Sequence, residues 1–120
     1  MSVPGIVGVL GGGRMGAGIA HAFLMAGARV RLVERDQDSA EAARTRVLAS
    51  IEKSALRGDL AEPRPVIESF AVHVDPAVFE SAGLVIEAVP EDREDKEQAL
   101  ARAEAAMPQH AILASNTSSI

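Results

Sequence analysis

The stretch VGVLGGGRMGAGIAHAFLMAGARVRLVERD, Val7 to Asp36, decides how this chain folds. A short apolar run, Ile6 to Leu10, meets a glycine-rich turn. An amphipathic segment follows, and a second apolar run, Arg29 to Val33, ends at Glu34. That succession is the sequence form of a strand buried on both faces, a tight turn, a helix and a second parallel strand. Gly11, Gly13 and Gly16 fill a G-x-G-x-x-G frame, and each has its own task. Gly11 lets the chain turn sharply off the strand, Gly13 leaves no side chain between backbone and ligand, and Gly16 lets the helix pack close to the sheet. The helix beginning near Arg14 then aims unpaired N–H groups and its positive dipole end at one spot, which favours a diphosphate. Met15, Ile19, Ala22, Phe23 and Ala26 recur at helical spacing as its expected buried face, with Gly27 as its stop.

Glu34 stands roughly 20 residues beyond the turn, where an acidic side chain binds a ribose 2′-hydroxyl. A carboxylate there repels a 2′-phosphate and favours NAD over NADP, whereas the neighbouring Arg35 is a group that accepts such a phosphate.

Outward from this unit the elements keep alternating. Asp36 or Asp38 caps a helix with Ala40, Ala43, Val47, Leu48 and Ile51 inside, ending near Arg57 with Gly58 in a left-handed conformation. Residues Asp59 to Pro65 form a polar connection. Phe70 to Val74 is a brief strand, and Asp75-Pro76 opens a helical turn. Gly83 to Val89 is the next buried strand. Glu91 or Asp92 caps a helix to about Met107, with Leu100, Ala103 and Met107 inward, and Ala111 to Ala114 is a fifth strand. The alternation implies an α/β Rossmann-type doubly wound parallel sheet of order 3-2-1-4-5, cut short after strand five. Its ligand edge lies at the 1/4 switch point. The glycine turn, the stretch after Val89 and Asn116 to Ser119 converge there.

The 120 residues make one domain, with 48% hydrophobic residues and only three Phe as aromatics, so the core rests on Ala, Val, Leu and Ile. A net charge of −5 argues against nucleic acid or an anionic membrane as main partner. The absence of cysteine removes disulfides, thiolate chemistry and cysteine-rich metal sites, and no metal is expected. No signal peptide or apolar run of about 20 residues is present, so the cytoplasm is the default location.

Three blocks together, GGGRMGAGIA (Gly11 to Ala20), LVIEAVPED with Lys96 (Leu84 to Asp92), and ILASNTSSI (Ile112 to Ile120), resemble the NAD-binding N-terminal domain of the L-3-hydroxyacyl-CoA dehydrogenase family. The resemblance implies hydride transfer to NAD from a (3S)-3-hydroxyacyl-CoA, an acyl-CoA-type substrate and a homodimeric parent. Gly11, Gly13, Arg14, Met15 and Gly16 then line the cofactor's diphosphate, and Glu34 looks like the adenosine-ribose carboxylate. Ala88, Val89 and Glu91 look like the cofactor-facing edge after strand four. Lys96 and Asn116 resemble residues approaching the nicotinamide ribose, and Ser118 corresponds to the serine that hydrogen-bonds the substrate oxygen. Glu91 and Asp92 as helix caps, and Lys96 as an i+4 partner of Asp92, are the structural alternatives.

In that family a histidine paired with a glutamate takes the hydroxyl proton, and it lies downstream of the SNTSS motif. His21, His73 and His110 read as structural or surface residues, so this domain is expected to be incomplete, the helical substrate and dimerisation domain absent, and the chain to bind cofactor with little turnover. Related dehydrogenases of carnitine, gulonate or carrier-bound hydroxyacyl groups, and a non-catalytic dinucleotide-binding module, are the competing functions.

Overall fold

Five short parallel strands form the sheet of the computed structural model, which describes residues 5–115. They are β1 (Ile6–Leu10), β2 (Arg29–Val33), β3 (Phe70–His73), β4 (Leu84–Glu87) and β5 (Ile112–Ser115). Their spatial order is β3-β2-β1-β4-β5, all neighbours parallel, as the alternation of apolar runs and helical segments predicts. Helices α1 (Arg14–Met25), α2 (Gln37–Leu56), α3 (Pro63–Glu68) and α4 (Lys96–Ala106) connect them, with a 3₁₀ turn at Pro76–Ser81. Parallel strands need such crossovers, and the reversal of strand order beside β1 opens a crevice at the carboxyl ends of β1 and β4.

Two apolar cores sit on opposite faces of the sheet. One joins Val9, Val30 and Leu32 to Ala17, Ala20 and Leu24 of α1 and Ala43, Val47 and Ile51 of α2. The other gathers Leu10, Val33, Val85 and Val89 around Phe79 and Ala103. Phe79 is wholly buried, and it is admitted by Gly8: a Cβ there would stand 2.5 Å from its ring. Each such large side chain contributes about 1.5–3 kcal/mol by burial.

The expected inner face of α1 is rotated. Gly16, Ala17, Ala20 and Leu24 are buried, Ile19 and Phe23 only flank the core, Ala22 and Ala26 are exposed, and Met15 is 59% exposed. The physical reason is distance: the helix approaches the sheet through its smallest side chains, and larger residues are displaced to the sides. In α2 the expected face holds, with Ser54 added and Leu48 partly buried. Asp36 caps it by accepting the Ser39 N–H at 2.7 Å, and Gly58 beyond its end has φ +84°.

Several boundaries differ from expectation, β3 and β5 by no more than a single residue at either end. Helix α3 begins on Pro63 itself, since proline at the first position forfeits no helical hydrogen bond. Strand β4 stops at Glu87, and α4 starts only at Lys96, after turns that neither Glu91 nor Asp92 caps. The cause at β4 is local: the Glu87 carboxylate turns back to accept the Val89 N–H at 2.5 Å, drawing the chain out of the ladder. No helix among the described residues is long and apolar enough to cross a membrane.

Candidate functional site

The crevice is built from the glycine turn upward. Gly11 has φ +101°, a conformation glycine adopts without penalty, and its N–H donates to the Val33 carbonyl at 3.0 Å. The Gly12 N–H donates to Glu34 Oε2 at 2.8 Å, and the Gly12 carbonyl accepts from Arg46 Nη1 of α2 at 2.9 Å. A Cβ on Gly12 would approach that of Ala43 to 2.4 Å, so packing against α2 also requires glycine at the middle of the run. Gly13 is the N-cap of α1, no side chain caps the helix, and its first turn carries no acid. A Cβ on Gly13 would meet nothing within 4 Å. The helix therefore presents uncapped amides across open space, the arrangement that receives an anion. A Cβ on Gly16 would lie 2.0 Å from the Gly11 carbonyl oxygen, so α1 and the turn touch backbone to backbone. Arg14 and Met15, exposed on the first turn of α1, flank this opening.

The next piece is Glu34, placed at the end of β2. Its side chain is only 10% exposed. Oε1 accepts the Arg35 N–H at 2.9 Å and a donor from Arg93 at 3.4 Å. Arg93 also grips Asp95 through Nε and, at 2.8 Å, through Nη2. This hydrogen bonding raises the Arg93 guanidinium above its ordinary value and lowers the Asp95 carboxyl. Arg35 faces solvent and lies 3.7 Å from Asp36. Leu10, Val33, Glu34, Arg35, Arg93 and Ala99 contribute to a cleft of about 110 Å³ between the ends of β1 and β2 and helix α4.

The third piece follows β4. Ala88 continues the ladder with its N–H on the Leu10 carbonyl at 2.8 Å, and its backbone packs against Gly11. Val89, expected at the cofactor-facing edge, is instead wholly buried in the core around Phe79, because its apolar side chain packs there. Beneath them lies Glu87, a fully buried carboxylate that accepts Ser115 Oγ from β5 at 2.6 Å and has Lys96 Nζ at 3.8 Å. Lys96 donates as well to Glu91 at 2.9 Å, so Glu91 takes the place that the structural alternative gave to Asp92. Asn116 and Ser118 lie outside the described residues, directly after Ser115.

The described histidines stand apart from this crevice. His21 of α1 shares a hydrogen bond with Ser54 of α2 at 3.0 Å, and burial, then the charge of Arg57, lowers its pKa. His73 ends β3 at the sheet's edge, where burial, then Arg31, lowers it too. Sequence reasoning missed Gly12, Arg93 and Glu87. The GGG run and the lone carboxylate inside LVIEAV were usable signals for two of them. Arg93, in the charged run EDREDKE, reads as one more solvated charge.

Open amides at a helix start, a carboxylate at the end of the adjacent strand and a sheet whose order reverses beside β1 define a dinucleotide-binding domain. The family model described as "3-hydroxyacyl-CoA dehydrogenase, NAD binding domain" matches residues 6–120, and the chain belongs to that family. It is 36% identical over 116 residues to the peroxisomal fatty acid beta-oxidation multifunctional protein MFP2 of Arabidopsis thaliana, covering 95% of this chain and 16% of that one. A probable 3-hydroxybutyryl-CoA dehydrogenase of Bacillus subtilis is 34% identical, with coverage of 93% and 40%. Among solved structures, M. tuberculosis FadB2 superposes with a TM-score of 0.89 at 34% identity, over 99% of this chain and 43% of that one. The chain thus spans less than half the length of each of these relatives. The cofactor of the family is NAD, and the open Gly13 and the inward Glu34 fit it.

Proposed function

We propose that the chain is the NAD-holding part of an enzyme that interconverts (3S)-3-hydroxyacyl-CoA and 3-oxoacyl-CoA thioesters. The observation that carries this reading is the unobstructed amide cluster at Gly13 standing beside a Glu34 carboxylate already fixed on Gly12. In this reading the α1 amides hold the diphosphate, with Gly11, Gly13, Arg14, Met15 and Gly16 around it. Glu34 accepts the adenosine ribose hydroxyl and repels a 2′-phosphate. Ala88 borders the nicotinamide side with Val89 buried behind it, Glu91 and Lys96 approach the ribose there with Asn116, and Ser118 hydrogen-bonds the substrate oxygen. When bound, NAD supplies the hydride acceptor.

Oxidation of the hydroxyl also needs a base within hydrogen-bond reach. His21 is engaged with Ser54, His73 sits at the edge strand and His110 precedes β5 at its amino end. None of them is assigned that role, and the 120-residue chain alone is expected to bind cofactor with little turnover. An acyl-CoA substrate, a homodimeric whole protein and a cytoplasmic location complete the proposal. Calorimetric titration with NADH and NADPH, beside a turnover assay with acetoacetyl-CoA, tests it. NADH binding with at least roughly tenfold preference over NADPH is the expected result. Preference for NADPH would remove the role given to Glu34, and rapid turnover by this chain would contradict the assignment of the base.

A further inference from the structure

Glu34 is held from more than one element, and the second hold comes from across the crevice. A carboxylate has about four acceptor sites. In Glu34, Oε1 takes the Arg35 N–H and the Arg93 guanidinium, while Oε2 takes the Gly12 N–H and keeps one acceptor site open. Arg93 is itself not mobile surface charge: its side chain is 12% exposed, and two of its nitrogens are committed to Asp95. The third nitrogen is therefore presented to Glu34 in a fixed plane, as a guanidinium can do and an ammonium cannot. Asp95 orients Arg93, and Arg93 orients Glu34.

The same guanidinium also bears on cofactor choice. Taken alone, an arginine at the mouth of an adenosine cleft invites a 2′-phosphate. Here one guanidinium is shared between two carboxylates, so the cluster carries a net negative charge and the N–H groups facing Glu34 and Asp95 are occupied. We propose that Arg93 is a positioning residue for cofactor recognition, fixing Glu34 so that Oε2 receives the adenosine 2′-hydroxyl, and that it is not a phosphate receptor. The proposal rests on the NAD-binding reading above and deepens it. Ordering Glu34 before the ligand arrives removes a rotamer cost from binding, which is how a residue that touches no ligand atom strengthens affinity.

The test is a fluorescence titration of the wild-type protein, Arg93→Gln, Glu34→Gln and the double variant with NADH, NADPH and an NADH analogue lacking the adenosine 2′-hydroxyl. Arg93→Gln is expected to weaken NADH roughly fivefold, as for a charged hydrogen bond at long distance. The loss should fall below about twofold with the deoxy analogue and in the Glu34→Gln background, because Arg93 acts only through that contact. Asp95→Asn, which leaves both residues in place and loosens the grip on Arg93, should weaken NADH in the same direction. Equal losses for both dinucleotides and for the deoxy analogue would show a merely structural role and overturn the proposal. A greater loss for NADPH than for NADH would make Arg93 a phosphate receptor and overturn it as well. Failure of the wild-type protein to bind NADH would instead overturn the NAD reading itself.

Discussion

Substituting alanine for Gly16 would place a methyl carbon 2.0 Å from the Gly11 carbonyl oxygen and 2.9 Å from its carbon. Both are backbone atoms of the turn, tied to β2 through Gly11 N–H and Val33 O at 3.0 Å, so neither can swing aside like a side chain. Restoring ordinary contact requires α1 to retreat by about 1.4 Å, which loosens Ala17, Ala20 and Leu24 from the sheet together. Overpacking of this kind costs about 3 kcal/mol. Alanine's better helix propensity offsets about 1 kcal/mol. The net loss of about 2 kcal/mol lowers the melting temperature by roughly 8 °C in a domain of this size. Gly13→Ala supplies the contrast from the same motif: φ is −68° and a Cβ there meets nothing, so stability should change by less than about 0.5 kcal/mol. Its methyl group would nevertheless occupy the space before the open amides, and NADH affinity should fall at least roughly tenfold. Denaturant unfolding followed by circular dichroism, run beside NADH titration, separates the two effects. A Gly16→Ala protein as stable as wild type, or a Gly13→Ala protein as unstable as Gly16→Ala, would refute the reasoning.

Replacing Glu87 with leucine deprives Ser115 Oγ and the Val89 N–H of a buried acceptor and removes the carboxylate 3.8 Å from Lys96. A loss of about 3 kcal/mol is expected in denaturant unfolding, because breaking a buried pair from one side costs more than forming it contributes. Protons also act on stability through His21 and His73, whose folded-state pKa values lie below 6.5. Below that value the unfolded chain takes up protons that the fold resists, so stability is full above about pH 6.5 and declines as pH falls through the lower folded values. Both side chains are partly solvated, so screening keeps each contribution small. Unfolding midpoints measured from pH 7.5 to 5 should decline, and the decline should flatten in a His21→Gln, His73→Gln double variant.

The strands were legible in the sequence because a parallel sheet buries both faces and leaves unbroken apolar runs such as IVGVL and LVIEAV. The face of α1 was misread because periodicity counts large residues, whereas close approach to a sheet is made by Gly16, Ala17 and Ala20. Glu34 was legible from its distance to the glycine turn, but its partner was not. Arg93 lies 59 residues away, on the segment between β4 and α4, and that proximity is a relation that local spacing does not encode. The end of β4 differs from the sequence reading for a related reason: the apolar run continues to Val89, yet the Glu87 carboxylate takes the Val89 N–H that a longer strand would offer to the ladder.

The paired amides of Gly11 and Gly12, one on the Val33 carbonyl and the other on Glu34, give the crevice a built-in gauge. In the proposed reading they set the spacing between the place for phosphorus and the place for sugar before any ligand arrives. Neither donor titrates near neutral pH. The Gly11 half of the gauge joins two peptide groups, and it should hold its length through changes of salt and acidity that loosen the charged residues at the rim.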